Sequence, residues 1–380
     1  MVGISLLTLV PGVVGGSETY ARGLLRGLEK IGELEYVVFT TPLASGPLFQ
    51  DLTPGSGPLG PAPPGSGPPP PGSGLEIAVL DSYRASTTTA GRALAMARAA
   101  FLGGPIRREM RPERLDAIHF PLTVMLPRVE RPPAVTTMHD LQHETHPRFF
   151  SRAELAYRRT VYRRTARASR LLIAPSEYVK GSLAQRLDVD PERIRVIHHG
   201  IDHERFSPGP AREREPFLLY PANRWPHKNH ERLFEALALL RRGRPELRLV
   251  LTGSGHEGKP APEGVESRGR VAPDELVELY RTAAALVFPS LYEGFGNPPL
   301  EAMACGCPVA CSNVCSLPEL VAGAAVLFDP ASPEAIADGV ERALEDETLP
   351  RRGALRAARF TWESCAAAHD RAYRELLGPS

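Results

Sequence analysis

Short, almost wholly apolar runs recur along the chain, and each is followed by a stretch whose apolar residues fall on a helical period. A first series covers 2–10, 36–41, 75–80, 117–120, 134–139, 171–174 and 194–198; a second covers 217–220, 248–251, 285–288, 308–310 and 325–328. Runs that are apolar throughout predict strands buried on both faces, the condition of a parallel sheet covered by helices above and below. Two series predict an α/β fold of two doubly wound, Rossmann-like domains. The first is expected over residues 1–206 and the second over 217–355. Between them, at 207–216, Pro208, Gly209 and Pro210 precede a charged run and read as a linker. Residues 356–380 read as a terminal helical segment.

One stretch belongs to neither series. From Thr53 to Gly74, Pro, Gly and Ser fill 19 of 22 positions, and Pro-Gly-Ser-Gly recurs three times. Such a segment cannot bury enough apolar surface to offset its ordering entropy, so a disordered loop is expected at about 45–74, with a Pro-rich docking site as the alternative. The length of 380 residues suits two domains. A formal charge of +1 gives no global field for nucleic acid, and no nucleic-acid partner is expected. No run approaches the roughly 18–20 apolar residues of a membrane span. The apolar start, Met1–Val10, lacks a basic lead-in and reads as a buried strand rather than a signal peptide. Four of the five cysteines crowd into 305–315 without paired zinc-ligand spacing, so buried reduced thiols and a cytoplasmic location are expected.

Candidate chemistry lies on the loops between strands and helices. Gly15 and Gly16 follow the first strand and open an amphipathic helix. Glycines there let backbone N–H groups and the positive helix end approach a phosphate, although such turns also serve only as corners. The segment Glu293-Gly-Phe-Gly-Asn-Pro-Pro-Leu-Glu301 follows an apolar strand. Gly294 and Gly296 permit a tight loop, Asn297 is expected to cap the next helix, and Pro298 and Pro299 suit its first turn. Glu293 and Glu301 would then face one cleft at the carboxyl end of the sheet, unless they merely complement a helix dipole. Lys228, one of four lysines, precedes another helix N-terminus, where a cation is disfavoured; a bound phosphate would account for it, and so would plain exposure. Met138–His146 holds three histidines and two acids. Their spacing does not make H-E-x-x-H, and His139 at a strand end suits a cleft contact better than a metal site.

Together these segments are similar to the retaining glycosyltransferases of family 4. The resemblance rests on Gly15-Gly-Ser-Glu18, His139-Asp-Leu, Ala174-Pro-Ser-Glu177, Ile197-His-His-Gly-Ile-Asp202, Trp225-Pro-His-Lys-Asn229, Leu251-Thr-Gly-Ser-Gly255 and Glu293-x7-Glu301 followed by Ala-Met-Ala, in that order. It covers nearly the whole chain apart from the Pro/Gly stretch. It implies the GT-B fold, two Rossmann-like domains facing across a cleft, with residues 356–380 packing back on the first. It also implies a nucleotide-diphosphate-sugar donor on the second domain and a glycan or lipid-linked acceptor on the first.

On that resemblance Glu301 would bind ribose hydroxyls, Glu293 hydroxyls of the donor sugar, and Lys228 the diphosphate, helped by Arg224. Gly15 and Gly16 would approach the same phosphates, and His139 would touch the sugar. Gly253, the backbone near Val271, and the loop Gly294, Phe295, Gly296 and Asn297 would complete the donor site. Pro298 and Pro299 have no N–H to offer phosphate, which shifts that contact toward Lys228. No cofactor or metal is implied. Retention would follow from front-face attack or from Glu293 as a covalent nucleophile. GDP-mannose is the expected donor.

Residues 1–206 carry 25 Lys/Arg against 20 Asp/Glu, and Arg158, Arg159, Arg163, Arg164, Arg167 and Arg170 share one helix. That helix is either a solvated face or a surface for an anionic leaflet presenting the acceptor, which would place the protein at the inner face of the membrane. The rival functions are a sugar-nucleotide epimerase of the same fold, a nicotinamide oxidoreductase and a non-catalytic sugar-nucleotide-binding protein. The oxidoreductase lacks its glycine fingerprint.

Overall fold

The computed structural model describes residues 1–12, 15–49, 75–101, 103–210, 213–256, 258 and 260–378. Seven strands, β1 (Val2–Ser5), β2 (Tyr36–Thr40), β3 (Leu75–Val79), β4 (Ala117–Phe120), β5 (Ala134–Thr137), β6 (Leu171–Ala174) and β7 (Ile194–Val196), form a parallel sheet in the order β3-β2-β1-β4-β5-β6-β7. Six more, β8 (Glu215–Pro221), β9 (Arg248–Thr252), β10 (Val265–Ser267), β11 (Ala283–Phe288), β12 (Val309–Ser312) and β13 (Val326–Phe328), form a second parallel sheet ordered β10-β9-β8-β11-β12-β13. Both sheets are doubly wound. The chain starts at a central strand, builds toward one edge, then returns and builds toward the other, so each has a switch point: β1/β4 in the first and β8/β11 in the second.

Several boundaries differ from the pattern in the sequence. β1 ends at Ser5, although the apolar run continues to Val10. Leu6, Leu7 and Leu9 are buried in a turn closed by the Leu9 N–H on the Leu6 carbonyl (3.0 Å), so burial there reflects packing and not strand. The expected loop at about 45–74 overlaps a helix, Pro42–Phe49, which starts at a proline and has the Ala44 and Ser45 N–H groups on the Thr41 carbonyl. The Pro/Gly-rich remainder of that loop lies outside the described residues. The linker gives way to β8 at Glu215, inside the charged run. β10 escaped notice because it is three residues long, Val-Glu-Ser, on a sheet edge with little to bury.

The last helix, Trp362–Leu377, leaves the second domain and lies along the opening helix, Gly16–Ile31. Glycine makes that approach possible: a Cβ on Gly23 would stand 2.0 Å from the Trp362 indole. A buried polar chain stitches the helix to the first sheet. The Tyr20 hydroxyl bonds Thr137 Oγ1 (2.8 Å) and His369 Nε2 (2.7 Å); His119 bonds Thr137 through Nε2 (2.8 Å) and the Tyr373 hydroxyl through Nδ1 (2.7 Å). Every polar group in this chain has a partner, the condition for burying it without a large penalty. Trp362, Cys365, Ala366 and Tyr373 thereby join the core of the first domain.

Candidate functional site

Open parallel sheets place ligands beyond the carboxyl ends of their strands, at the switch point. The loops that leave β1, β5, β8 and β11 at those ends carry Gly15 and Gly16, His139, Lys228 and Glu293. Connectivity therefore gathers residues spread over 279 positions of sequence, from 15 to 293, at one seam between the two sheets.

Lys228 ends a short 3-10 turn, Pro226–Lys228, and the following Asn229 adopts a left-handed conformation (φ 60°) before the helix His230–Leu240 begins. Asn229 holds the turn in place: its buried amide donates to the carbonyls of Pro289 (3.1 Å) and Pro330 (2.8 Å). The Tyr220 hydroxyl donates to the Lys228 carbonyl (2.7 Å), and Lys228 Nζ lies 5.2 Å from the centre of the Phe288 ring. Nζ donates to Glu293 Oε1 at 2.5 Å, and both side chains are about six-sevenths covered (14% and 15% exposed). Plain solvent exposure of Lys228 is thereby replaced by a nearly buried ion pair.

Glu293 sits on a loop fastened from both domains. Ser316 Oγ donates to the Glu293 carbonyl (3.0 Å) and to that of Phe295, while Ser176 Oγ of the first domain donates to the Gly294 carbonyl (2.7 Å). A Cβ on Gly294 would lie 2.1 Å from the His139 carbonyl oxygen, so the two loops approach closely at this residue. His139 Nε2 donates to the Pro121 carbonyl (2.8 Å), which makes Nδ1 the accepting nitrogen. Burial holds its pKa below the usual histidine value, against the raising influence of that carbonyl and of Asp140, so a neutral imidazole faces the seam. Gly15 takes φ 55° at the head of the opening helix, and among the described residues, their chain neighbours and helix backbone aside, none has an atom within 4 Å of where a Cβ on Gly15 or Gly16 would be.

Glu301 lies on the helix Asn297–Ala304, where it accepts from the Tyr280 hydroxyl (2.9 Å). Burial raises its pKa to about 7, with the tyrosine pulling the other way. Asn297 does not cap that helix. Gly296, with φ 142°, takes the cap position, because the chain turns against Leu317, where a side chain has no room. Asn297 instead begins the helix, its side chain close enough to His199 to oppose the fall in that histidine's pKa. Phe295 is a packing residue, its ring 4.4 Å from that of His199 across the seam. Arg224 turns to Glu231 (2.7 Å) and over Phe234, rather than to the Lys228–Glu293 pair. Gly253 is pressed against the backbone of Ala222 and Asn223, and Val271 packs on the second core. Next to it Arg270 reaches the Gly12 carbonyl (3.5 Å), which links the base-side loop to the glycine turn.

Sequence reasoning passed over Asp140 and Tyr292. The Tyr292 hydroxyl accepts from the Leu141 N–H (2.9 Å), and Asp140 stands beside Gly294 and close enough to His227 to oppose the fall in its pKa. Each neighbours a residue that was singled out, which was the available signal. The histidine-rich segment is dispersed: His143 is buried against Tyr162, and His146 stacks on Phe149. Among the described residues no three His, Cys, Asp or Glu side chains cluster to hold a metal ion, and the five cysteines are unpaired. The arginine-rich helix, Arg152–Ala168, is capped at Ser169 and stops short of Arg170; on it Arg159 and Arg163 turn to Glu144, and Arg158 to Tyr162. Among the described residues no helix is long and apolar enough to cross a membrane.

Two family models span this architecture. Residues 14–205 match Glycosyltransferase Family 4 and residues 202–359 match Glycosyl transferases group 1. The chain belongs to the group 1 glycosyltransferases. Among curated relatives, the O-antigen chain mannosyltransferase B of Escherichia coli is 30% identical over 284 residues, 68% of this chain and 74% of that protein. A D-inositol 3-phosphate glycosyltransferase of Frankia alni is 34% identical over 55% of this chain and 60% of its own length. The fold is GT-B, shared with sucrose-phosphate synthase from Thermosynechococcus elongatus (TM-score 0.71, 20% identity, 99% and 98% of the two chains). The Anabaena protein HepE, solved in complex with UDP and glucose, has the same fold (TM-score 0.66, 17% identity, 98% of each chain).

Proposed function

We propose that this glycosyltransferase moves a mannosyl group from GDP-mannose to a glycan or lipid-linked acceptor, with retention and without a metal ion. The observation that carries this reading is the nearly buried Lys228–Glu293 pair at the β8/β11 switch point. A cation held at a switch point between two helix N-termini is matched to a diphosphate, and it can stabilise the charge that develops as the diphosphate leaves. The mannosyltransferase among the relatives favours mannose, and the UDP complex of HepE supports a nucleotide-sugar donor.

In this reading Lys228 passes from Glu293 to the diphosphate when the donor binds, and Glu293 turns to hydroxyls of the transferred sugar. Gly15 and Gly16 meet the phosphates from the opposite side. His139, neutral and with Nδ1 accepting, takes a hydrogen bond from a sugar hydroxyl. Glu301 accepts from the ribose hydroxyls, with Gly253, Val271 and the Gly294–Asn297 loop around the nucleotide. The departing phosphate takes the acceptor's proton in a front-face step.

Melting scans with GDP, UDP, ADP, dTDP and NAD in EDTA test the donor, since a ligand that binds only the folded state raises the midpoint. A shift with GDP is expected. A shift with NAD alone would overturn the reading. Glu301→Ala is expected to weaken nucleotide binding and Glu293→Ala to slow transfer; undiminished turnover in both would remove these site roles.

A further inference from the structure

The turn that supplies Lys228 also presents a side chain that the donor site does not use. Trp225 is 54% exposed, whereas the other tryptophan, Trp362, is 8% exposed. Leaving an indole in water forgoes burial worth roughly 25 cal/mol per Å2 of apolar surface. Its backbone is nonetheless fixed: the Trp225 N–H donates to the Asn223 carbonyl (2.7 Å), the Lys228 N–H donates to the Trp225 carbonyl (2.9 Å), and Pro226 follows. The backbone that presents the exposed ring is therefore held in place.

It lines a cavity of about 370 Å3 that both domains build, with Arg148 and Phe149 from the first and Trp225, Pro226 and Leu291 from the second. That volume falls within the usual range of small-molecule sites, about 300–1,000 Å3. Rings continue from one wall to the other: Trp225 to His227 (5.6 Å), His227 to Phe149 (6.5 Å), and Phe149 stacked on His146 (5.4 Å, 3° between planes). The Arg148 guanidinium lies over Phe149 (5.1 Å), and Arg224 lines the same cavity. The cavity adjoins the donor site, because Trp225 is three residues from Lys228 and Leu291 two from Glu293.

We infer that Trp225 and Phe149 form a stacking wall for a pyranose ring of the acceptor, with Arg148 at its hydroxyl edge. A pyranose has apolar C–H faces and a polar rim, and an aromatic face edged by guanidinium groups complements both. A nucleobase also stacks on aromatic rings. Phe149 and Arg148, however, come from the first domain, on which the acceptor is expected, so the acceptor is the occupant. The inference rests on the transferase reading above and adds the acceptor's place and chemistry.

Acrylamide quenching of intrinsic fluorescence reads Trp225 selectively, because Trp362 is buried. Titration of the wild type with methyl α-mannopyranoside, mannobiose, cellobiose, lactose and chitobiose is expected to give at least one sugar that lowers the quenching constant about twofold, while GDP alone does not. With the protecting sugar as acceptor, Trp225→Ala is expected to raise its KM about tenfold with a much smaller change in kcat, and Trp225→Phe to restore most of the affinity. The GDP-induced melting shift reports that the variants are folded. Protection by GDP alone, protection by none of the sugars, or an unchanged acceptor KM in Trp225→Ala would each overturn the inference. Hydrolysis of GDP-mannose by the wild type without acceptor reads the transferase chemistry separately: its absence counts against that reading, and its presence with a silent Trp225 counts against the stacking wall alone.

Discussion

Glu301 shows how burial and the proposed ribose contact pull on one carboxyl group. Its pKa is raised to about 7, so the folded protein holds its proton more tightly than the unfolded chain does. The sign follows: the stability contributed by protonated Glu301 is fully present below about pH 4.5 and is lost as pH rises through about 7. Accepting hydrogen bonds from two ribose hydroxyls requires the opposite, ionised form. GDP affinity is therefore expected to rise as pH increases from about 6 to about 8, with uptake of the nucleotide accompanied by proton release. Glu301→Gln should flatten that dependence and remove the loss of melting temperature over the same interval. Calorimetric titrations in two buffers of different ionisation enthalpy check both statements; a GDP affinity flat with pH in the wild type would remove Glu301 from the ribose contact.

At the level of elements, the interface between the opening and last helices depends on one small residue and one large one. Trp362 fills the space that Gly23 leaves, so Trp362→Ala is expected to cost about 3–5 kcal/mol, read as a lower midpoint in guanidinium unfolding. Gly23→Ala should also destabilise, because the methyl would overlap the indole and the helix could only move away. Ten or more strands were legible from their apolar runs, because a strand buried on both faces has no alternation to confuse. β10 was not, for it buries little. The alignment of Trp362 with Gly23 was also invisible, since nothing local in either helix marks a partner more than 330 residues away. Lys228 stood out through its rarity and its unfavourable place before a helix. Its pairing with Glu293, like the turn of Arg224 toward Glu231, depends on loop geometry that no spacing in the sequence encodes.

Across the whole molecule the two domains meet through contacts that resemble a latch. Glu319 of the second domain accepts from His198 (2.8 Å) and from the Glu177 N–H (2.9 and 3.1 Å) of the first, and Ser176 reaches the Gly294 carbonyl. Burial would raise the Glu319 pKa, but these hydrogen bonds outweigh it and hold the carboxyl below its usual value. Gly294 allows closure to be separated from folding. Its φ is not in the left-handed region, so alanine fits the backbone of its own domain, and the only clash is with a backbone oxygen of the other domain, His139, at 2.1 Å. A backbone oxygen cannot swing aside as a flexible side chain would. Gly294→Ala is thus expected to keep the melting temperature near wild type while forcing the domains apart where the Gly294 and His139 loops meet. A displacement of about 1 Å there costs on the order of a hundredfold in rate, so transfer should fall by about that factor, with a small increase in the radius of gyration in solution scattering. If the variant transferred sugar at the wild-type rate, the approach of His139 to Gly294 would not belong to the catalytic state, and His139 would lose its place beside the donor sugar.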